Sequence, residues 1–394
     1  MLTSLLIVIY IAFISLGLPD SILGSAWPVM QIDLGVPSSY AGIVTMIISA
    51  MTVLSSVLSD RITKRFGTGR VTSVSVLMTA LALLGFSLSN HFWQLCVIAV
   101  PYGLGAGAID AALNNFVALH YSSRHMSWLH MCWGIGAFTG PIVMGQILTH
   151  GYTWSRGYLV ISVIQFVISV IVIASLPLWS KVSKSDSSDS SAGSEEEGPK
   201  KALSIRQTLT LPGAAFIFTA FLAYSGVEQT SILWASSFIS EARGVSPEQA
   251  ATYGSLFTIG ITIGRFLSGV VSDRFGDRNM IRIGSGVIAF SILLIFLPAS
   301  PVFAGAGLVL AGIGCGPVYP SIIHSTPVNF GAENSQAVIG MQMAFAYVGS
   351  TFAPPIFGLI AQHISISLFP AYLLFFLILL VVFTERLNKL VSRS

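Results

Sequence analysis

Along this chain apolar residues come in long runs separated by brief polar stretches. A helix needs about 20 mostly apolar residues to cross the hydrocarbon core of a bilayer. Twelve runs meet that measure: 4–30, 39–59, 71–89, 93–119, 127–149, 157–179, 209–239, 249–272, 280–298, 302–324, 334–361 and 366–384. The pattern predicts an all-α membrane protein of twelve transmembrane helices. Between the sixth and seventh runs lies "KVSKSDSSDSSAGSEEEGPKK". Its serines, glycines and acids cannot bury a core, so 181–206 is expected to be a flexible cytoplasmic linker. It divides the chain into an N-terminal bundle, 1–180, and a C-terminal bundle, 207–394, of six helices each.

Composition supports this reading. Of the 394 residues 54% are hydrophobic and 9% charged, against about 25% charged in a soluble domain. So few charges cannot cover a water-facing surface. The first run lacks a basic leading segment and is too long for a signal-peptide core, so it reads as a membrane span. Where the basic residues fall sets the orientation. With both termini inside, inner loops hold Arg61, Lys64, Arg65, Arg70, Arg124, Lys181, Lys184, Lys200, Lys201, Arg206, Arg274, Arg278, Arg282, Arg386, Lys389 and Arg393. Outer loops hold Arg156 and Arg243, and Arg265 lies within the eighth span. That asymmetry predicts a multi-pass protein of the plasma (inner) membrane with both termini cytoplasmic. Cys96, Cys132 and Cys315 all lie in apolar runs without metal-ligand spacing and read as small packing residues.

The two halves repeat each other. "LSDRITKRFG" follows the second span and "VSDRFGDRNM" the eighth, with Asp60 and Asp273 213 residues apart. Gly107 in the fourth span precedes Gly316 in the tenth by 209, and Gly136, Pro141 and Gly145 precede Gly349, Pro354 and Gly358 by 213. Asp20 in "LGLPDSIL" precedes Glu228 in "YSGVEQTS" by 208. One near-constant offset indicates two pseudo-symmetric six-helix bundles, an arrangement that places a substrate site near the midplane and permits rocking between inward- and outward-open states. Here the chain resembles the major facilitator superfamily. The two Asp-Arg loops, Asp60-Arg61 with Lys64-Arg65 and Gly269, Asp273-Arg274, Gly276 and Arg278, carry the resemblance, although the first has Ser56 where the family usually has glycine. It implies a cytoplasmic latch formed by Asp60, Arg61, Arg65, Asp273, Arg274 and Arg278.

Three acids lie inside the spans: Asp20, Asp110 and Glu228. An ionisable residue there is a functional candidate facing a cavity rather than lipid, the plain alternative being a structural acid bonded to a neighbouring helix. Buried carboxyls resist ionisation in general, so one can be neutral in one conformation and charged in another. The one cation inside the helices, Arg265, lies eight residues before Asp273 and is expected to pack at the cytoplasmic end rather than serve as a midplane counter-ion. The acids therefore read as proton-coupling groups, with Pro19 beside Asp20 marking a locally irregular helix. "GLGAGAIDAALNNFVALHY" and "LGLPDSIL" are similar to the fourth and first helices of the fucose/galactose/glucose:proton symporter (fucose permease) family. The resemblance gives Asp110 and Asp20 the acid positions and Asn114 the amide position. It places Trp133 where the family has a polar residue, and Asp110 where the family usually has Glu.

That resemblance implies proton symport of a small polar solute, a sugar above all, by alternating access; no cofactor is expected, and sodium is the alternative coupling ion because "LPDS" can expose carbonyls at a break next to Asp20. Sugars are held by amides and hydroxyls on their edges and by aromatic rings on their C–H faces. Asn114, His130, Trp133, Gln229, Tyr319, Gln342, Tyr347, Trp27 and Trp234 are the candidates for substrate binding. The plainer roles are interface anchoring for the two tryptophans Trp27 and Trp234, and interhelical hydrogen bonding for the histidine and amides. The glycine-rich run of the fourth span lacks the preceding strand and following Lys-Ser/Thr of a phosphate loop. No metal pair or hydrolase serine motif is present, so the chain does not read as an enzyme, and nothing points to nucleic acid. The family reads as monomeric, with a small molecule and the lipid bilayer as partners. Two rivals stay open, a proton-coupled exporter of amphipathic drugs or lipids and a non-transporting membrane sensor.

Overall fold

The computed structural model describes residues 2–182, 202–297 and 300–392. Residues 183–201, which hold most of the expected linker with Lys184, Lys200 and Lys201, lie outside the described residues, as does Arg393. Among the described residues all regular structure is helical. The order is α1 (Leu2–Gly17), α2 (Ile22–Asp33), α3 (Tyr40–Phe66), α4 (Thr68–Leu88), α5 (Phe92–His120), α6 (Ser123–Thr149) and α7 (Trp154–Ala174). A short helical stretch over 176–182, α8, follows. Then come α9 (Ile205–Thr210), α10 (Ala214–Arg243), α11 (Pro247–Phe275), α12 (Asp277–Phe296), α13 (Pro301–His324), α14 (Thr326–Phe330), α15 (Ala332–His363) and α16 (Phe369–Val391).

Eleven segments are long and apolar enough to cross a membrane, α1 and α2 forming one interrupted span, Thr3–Asp33. The twelfth long helix is α10, which carries Glu228 and Gln229. The expected twelve-helix, all-α architecture is therefore the one observed. The first span breaks into two helices at the irregularity expected beside Pro19. Two local features differ from expectation. The sixth ends at Ala174 rather than 179, where Ser175 and Pro177 interrupt the ladder because proline has no N–H to donate. And α9 starts on a capping box, with Gln207 N donating to Ser204 Oγ at 3.2 Å and Ser204 N to Gln207 Oε1 at 2.8 Å.

The chain forms two compact units, Met1–Phe116 with Cys132–Leu203, and Val117–Met131 with Ser204–Ser394. Lipid is as apolar as leucine, so helices gain little from hiding apolar surface from one another. Close backbone packing at small residues takes over. In the first unit Gly17 of α1 and Gly136 and Gly140 of α6 lie where any Cβ would meet the partner backbone, at Trp133 O, Ile14 O and Leu18 O. On α3 and α5, Thr52 Oγ1 donates to Gly103 O at 3.2 Å and Ser56 Oγ to Gly107 O at 3.3 Å. Ser15 Oγ on α1 donates to Gln165 Oε1 on α7.

The second unit uses corresponding positions. Gly349 of α15 meets Leu222 O of α10, as Gly136 meets Ile14 O, and Gly316 of α13 meets Gly264 and Arg265 of α11, as Gly107 meets Thr52 O. These pairs keep the sequence offsets of 208, 209 and 213. The helix-to-helix turns repeat as well. Gly67 ends α3 with φ 81° and Gly276 ends α11 with φ 73°, backbone that residues with a side chain rarely adopt.

Gly136→Leu should force α1 and α6 apart, lowering stability by about 1–3 kcal/mol or more. Gly145→Leu on the same helix is the control, because nothing lies within 4 Å of a Cβ there. Thermal unfolding of both variants in detergent measures the difference. Equal melting would mean that the α1–α6 approach does not need glycine.

Candidate functional site

The break between α1 and α2 places the first acid. Pro19 cannot extend the helical ladder, and the chain crosses 18–21 by three-residue hydrogen bonds, Asp20 N to Gly17 O at 3.1 Å and Ile22 N to Pro19 O at 3.3 Å. Asp20 thus projects from a turn rather than from a regular helix, and its side chain is exposed. Two neutral donors hold its carboxylate. Trp133 Nε1 donates to Oδ2 at 2.8 Å and Tyr102 OH to Oδ1 at 3.4 Å. Asp110 lies within electrostatic range. It is buried on α5, and Asn114, one turn on, donates from Nδ2 to Asp110 Oδ1 at 2.8 Å and to Asp110 O at 2.9 Å. Two acids, an amide, an indole and a phenol therefore meet in the first unit, and no lysine or arginine is among the neighbours that act on Asp20.

The second unit arranges its acid differently. Glu228 of α10 and Arg265 of α11 are both buried, and Arg265 Nη2 meets Glu228 Oε1 at 3.2 Å. Arg265 Nη1 donates to His130 O at 3.3 Å. This corrects the expectation that Arg265 packs at the cytoplasmic end. Eight residues of helix set it about 12 Å from Asp273 along the axis. Side chains on a helix also lean toward its N-terminus, and a guanidinium on its long stem reaches further that way. Among the described residues Arg265 is the only lysine or arginine that is buried. Aromatic rings surround the pair. Tyr319 has its ring centroid 4.6 Å from His130, 4.6 Å from Phe221 and 5.6 Å from Tyr224. Tyr224 OH donates to Cys315 O at 3.2 Å, and Tyr319 OH to Met343 Sδ at 3.1 Å.

Other candidates lie apart from these clusters. Trp27 Nε1 donates to Ser38 O at 2.8 Å and Trp234 Nε1 to Pro354 O at 2.9 Å, so both indoles brace backbone. Gln342 is fully buried and bonds Thr326, Nε2 to Oγ1 at 3.0 Å. Gln229 and Tyr347 are half-buried.

The two Asp-Arg loops also differ in use. Asp60 is buried against Lys64, Nζ to Oδ1 at 2.9 Å, and accepts from Leu203 N at 3.0 Å. Arg65 lies over the Phe66 ring at 5.3 Å, whereas Arg61, Arg274 and Arg278 are exposed. Asp273 instead receives Arg124 Nε at 3.1 Å, Arg124 N at 3.1 Å and Ser122 Oγ at 3.2 Å. A carboxylate at the start of α6 also suits the positive end of its dipole. Asp277 joins this layer, accepting from Ser123 Oγ at 2.6 Å and facing His324 Nδ1 at 2.7 Å. Tyr102, Tyr224, Arg124, Asp277 and His324 are site residues that sequence reasoning missed. Only Asp277 had a signal, as the second acid of the better-matched Asp-Arg loop.

Comparison with known proteins agrees with this architecture. The family model described as Major Facilitator Superfamily matches residues 9–239 and 216–391. The glucose/mannose transporter GlcP of Bacillus subtilis is 23% identical over 263 residues, 65% of this chain and 63% of that protein. The hexuronate transporter of the same organism is 24% identical over 310 residues, 75% of this chain and 70% of that one. The crystal structure of the Escherichia coli fucose:proton symporter FucP superposes with a TM-score of 0.75 at 13% identity, covering 97% of this chain and 98% of that one, a likeness of fold.

The Asp20–Trp133 bond is measurable by a double-mutant cycle. With Trp133→Phe, Asp20→Asn and both together, unfolding in detergent at pH 8 should give a coupling of about 1.5 kcal/mol, the low end for a hydrogen bond to a charged acceptor. The coupling should shrink at pH 5 when the acceptor carries a proton. A coupling independent of pH would mean that Asp20 does not change its charge over that range.

Proposed function

The chain belongs to the Major Facilitator Superfamily, a family of transporters rather than enzymes, and from that premise we propose that it is a proton-coupled symporter of a small polar solute of the sugar class. One observation carries the reading: Asp20 stands at a helix break with an indole and a phenol as its donors and Asp110 close by. A carboxylate in a membrane segment without a neighbouring cation can lose its charge only by taking up a proton. Gain and loss of that proton would then bias alternating access, with Asp20 and Asp110 as the coupling groups and protons favoured over sodium. Asn114 and Trp133 supply the amide edge and ring face that a sugar needs, beside those acids. The names of similar proteins, a glucose/mannose transporter and a fucose:proton symporter, point the same way.

Of the other candidates, His130 and Tyr319 offer ring faces in the second unit, while Trp27, Trp234 and Gln342 suit bracing better than binding because each is engaged with its own unit. The Asp60 and Asp273 loops serve as cytoplasmic latches in this reading, with Lys64 and Arg124 as their working cations. The orientation follows from the basic inner loops: a plasma (inner) membrane protein with both termini in the cytoplasm.

Uptake into proteoliposomes with an imposed inward proton gradient tests the proposal. Labelled hexoses should accumulate above equilibrium, collapse with a protonophore and ignore a sodium gradient. Asp20→Asn and Asp110→Asn should keep counterflow exchange and lose gradient-driven accumulation. If either variant still concentrates solute like the wild type, that acid is not a coupling residue.

A further inference from the structure

Glu228 and Arg265 present a charge problem that Asp20 does not. Arg265 stays protonated in proteins, so its charge is permanent. Both side chains are buried, with relative exposures of 4% for Arg265 and 8% for Glu228. A buried ion pair is tolerated while both members are present, and removing one leaves an uncompensated charge at severe cost. Glu228 therefore cannot be neutralised by itself. If a proton reaches it, another anion has to take its place on the guanidinium.

Resting on the proton-symport reading above, we propose that the transported solute carries a carboxylate that docks on Arg265 in place of Glu228, while Glu228 takes up a proton. The charges balance. Before the exchange the pair holds one negative and one positive charge; after it, a neutral carboxylic acid, the guanidinium and the solute carboxylate hold the same total. The proton comes from hydronium, which is left as water: one O–H bond breaks there, one forms on Glu228, and no other covalent bond changes. Glu228 is then an internal stand-in for the ligand, filling the Arg265 site when no solute is present.

The surroundings fit a carboxylated sugar. The planar guanidinium matches a carboxylate in two-point geometry. Tyr319, half-buried beside the pair with His130 4.6 Å away edge to face and Tyr224 packed behind it, is the ring that offers a face to the C–H side of a sugar. The titratable groups facing Glu228 and Arg265 are Tyr224 on α10, Cys315 and Tyr319 on α13, and His130 on α6. None of these is a second permanent cation, so Arg265 is the sole fixed positive charge of the cluster among the described residues. At the position of the first unit that corresponds to Arg265 stands Thr52, 213 residues earlier, so the anion site belongs to one half only.

The probes are D-galactose and D-galacturonate, the same ring with and without a carboxylate, supplied to wild-type protein in proteoliposomes under a proton gradient. Galacturonate should accumulate and should outcompete galactose by about tenfold or more, the value of one charge-assisted contact. Accumulation of galactose with no competition by galacturonate would overturn this inference and leave the symport reading standing. If the proton gradient drives neither solute, the symport reading itself fails. Glu228→Gln gives a second, binding-only readout. Galacturonate binding to the purified variant, followed by its thermal shift, should be tighter than to the wild type and depend less steeply on pH, the remaining dependence belonging to Asp20 and Asp110. Arg265→Lys should weaken binding of galacturonate and not of galactose. Unchanged pH dependence in Glu228→Gln, or equal losses for both sugars in Arg265→Lys, would make the pair a structural tie.

Discussion

Backbone contact between helices at glycine is the constraint on which the rest depends. Gly136 against Ile14 O in the first unit and Gly349 against Leu222 O in the second bring the first helix of each half against the fifth with no side chain between them. In lipid this close approach replaces the hydrophobic drive of a soluble core. It also fixes what lies one turn away. Trp133 is on α6 three residues before Gly136, and its indole therefore meets Asp20, six residues beyond Ile14. The acid is held in place by the packing of its helix, and the donor is delivered by the same contact.

The repeated packing throws the differences between the halves into relief. Glu228 corresponds to Asp20, but the position corresponding to Trp133 is Ala346, which offers no donor. The position corresponding to Thr52 is Arg265, and it supplies the partner instead. One acid is thus held by neutral donors from the fourth and fifth helices of its half, and the other by a fixed charge from the second. Neutralising Asp20 would strand no fixed cation among the neighbours that hold it, whereas neutralising Glu228 would leave the Arg265 charge uncompensated. Two substitutions at equivalent sites on one shared backbone therefore separate two kinds of chemistry.

The number of spans, the broken first helix and the repeat were legible because each is written locally. Apolar run length sets a span, Pro19 interrupts a ladder, and the glycines sit at constant offsets. The acids were legible because a charge in an apolar run stands out. Their partners were not. Tyr102 and Tyr224 resemble any other membrane aromatic until the fold brings them to a carboxylate. Arg265 misleads for a geometric reason: its Cα lies about two turns before Asp273 while its guanidinium reaches Glu228. The Asp-Arg loops were legible as two motifs but not as two sets of contacts. Asp60 turns inward to Lys64 and Leu203, while Asp273 receives Ser122 and Arg124 at the start of α6.

The asymmetry at the Asp-Arg loops parallels the one at the acids. In the first unit both Asp60 and Asp20 are satisfied within a few helices of the same half, by Lys64 on the next turn and by Trp133 and Tyr102. In the second unit Asp273 and Asp277 draw on the 122–124 segment and Arg265 draws on His130 O, all from the stretch that joins α5 to the body of α6. That stretch folds with the second unit although the helices on either side of it belong to the first. It carries bonds to Asp273 and Asp277 at one end and to the buried ion pair at the other, eight residues apart in sequence at most. The buried pair and Asp273 are therefore both bonded to one short segment, so the two places share a single piece of backbone.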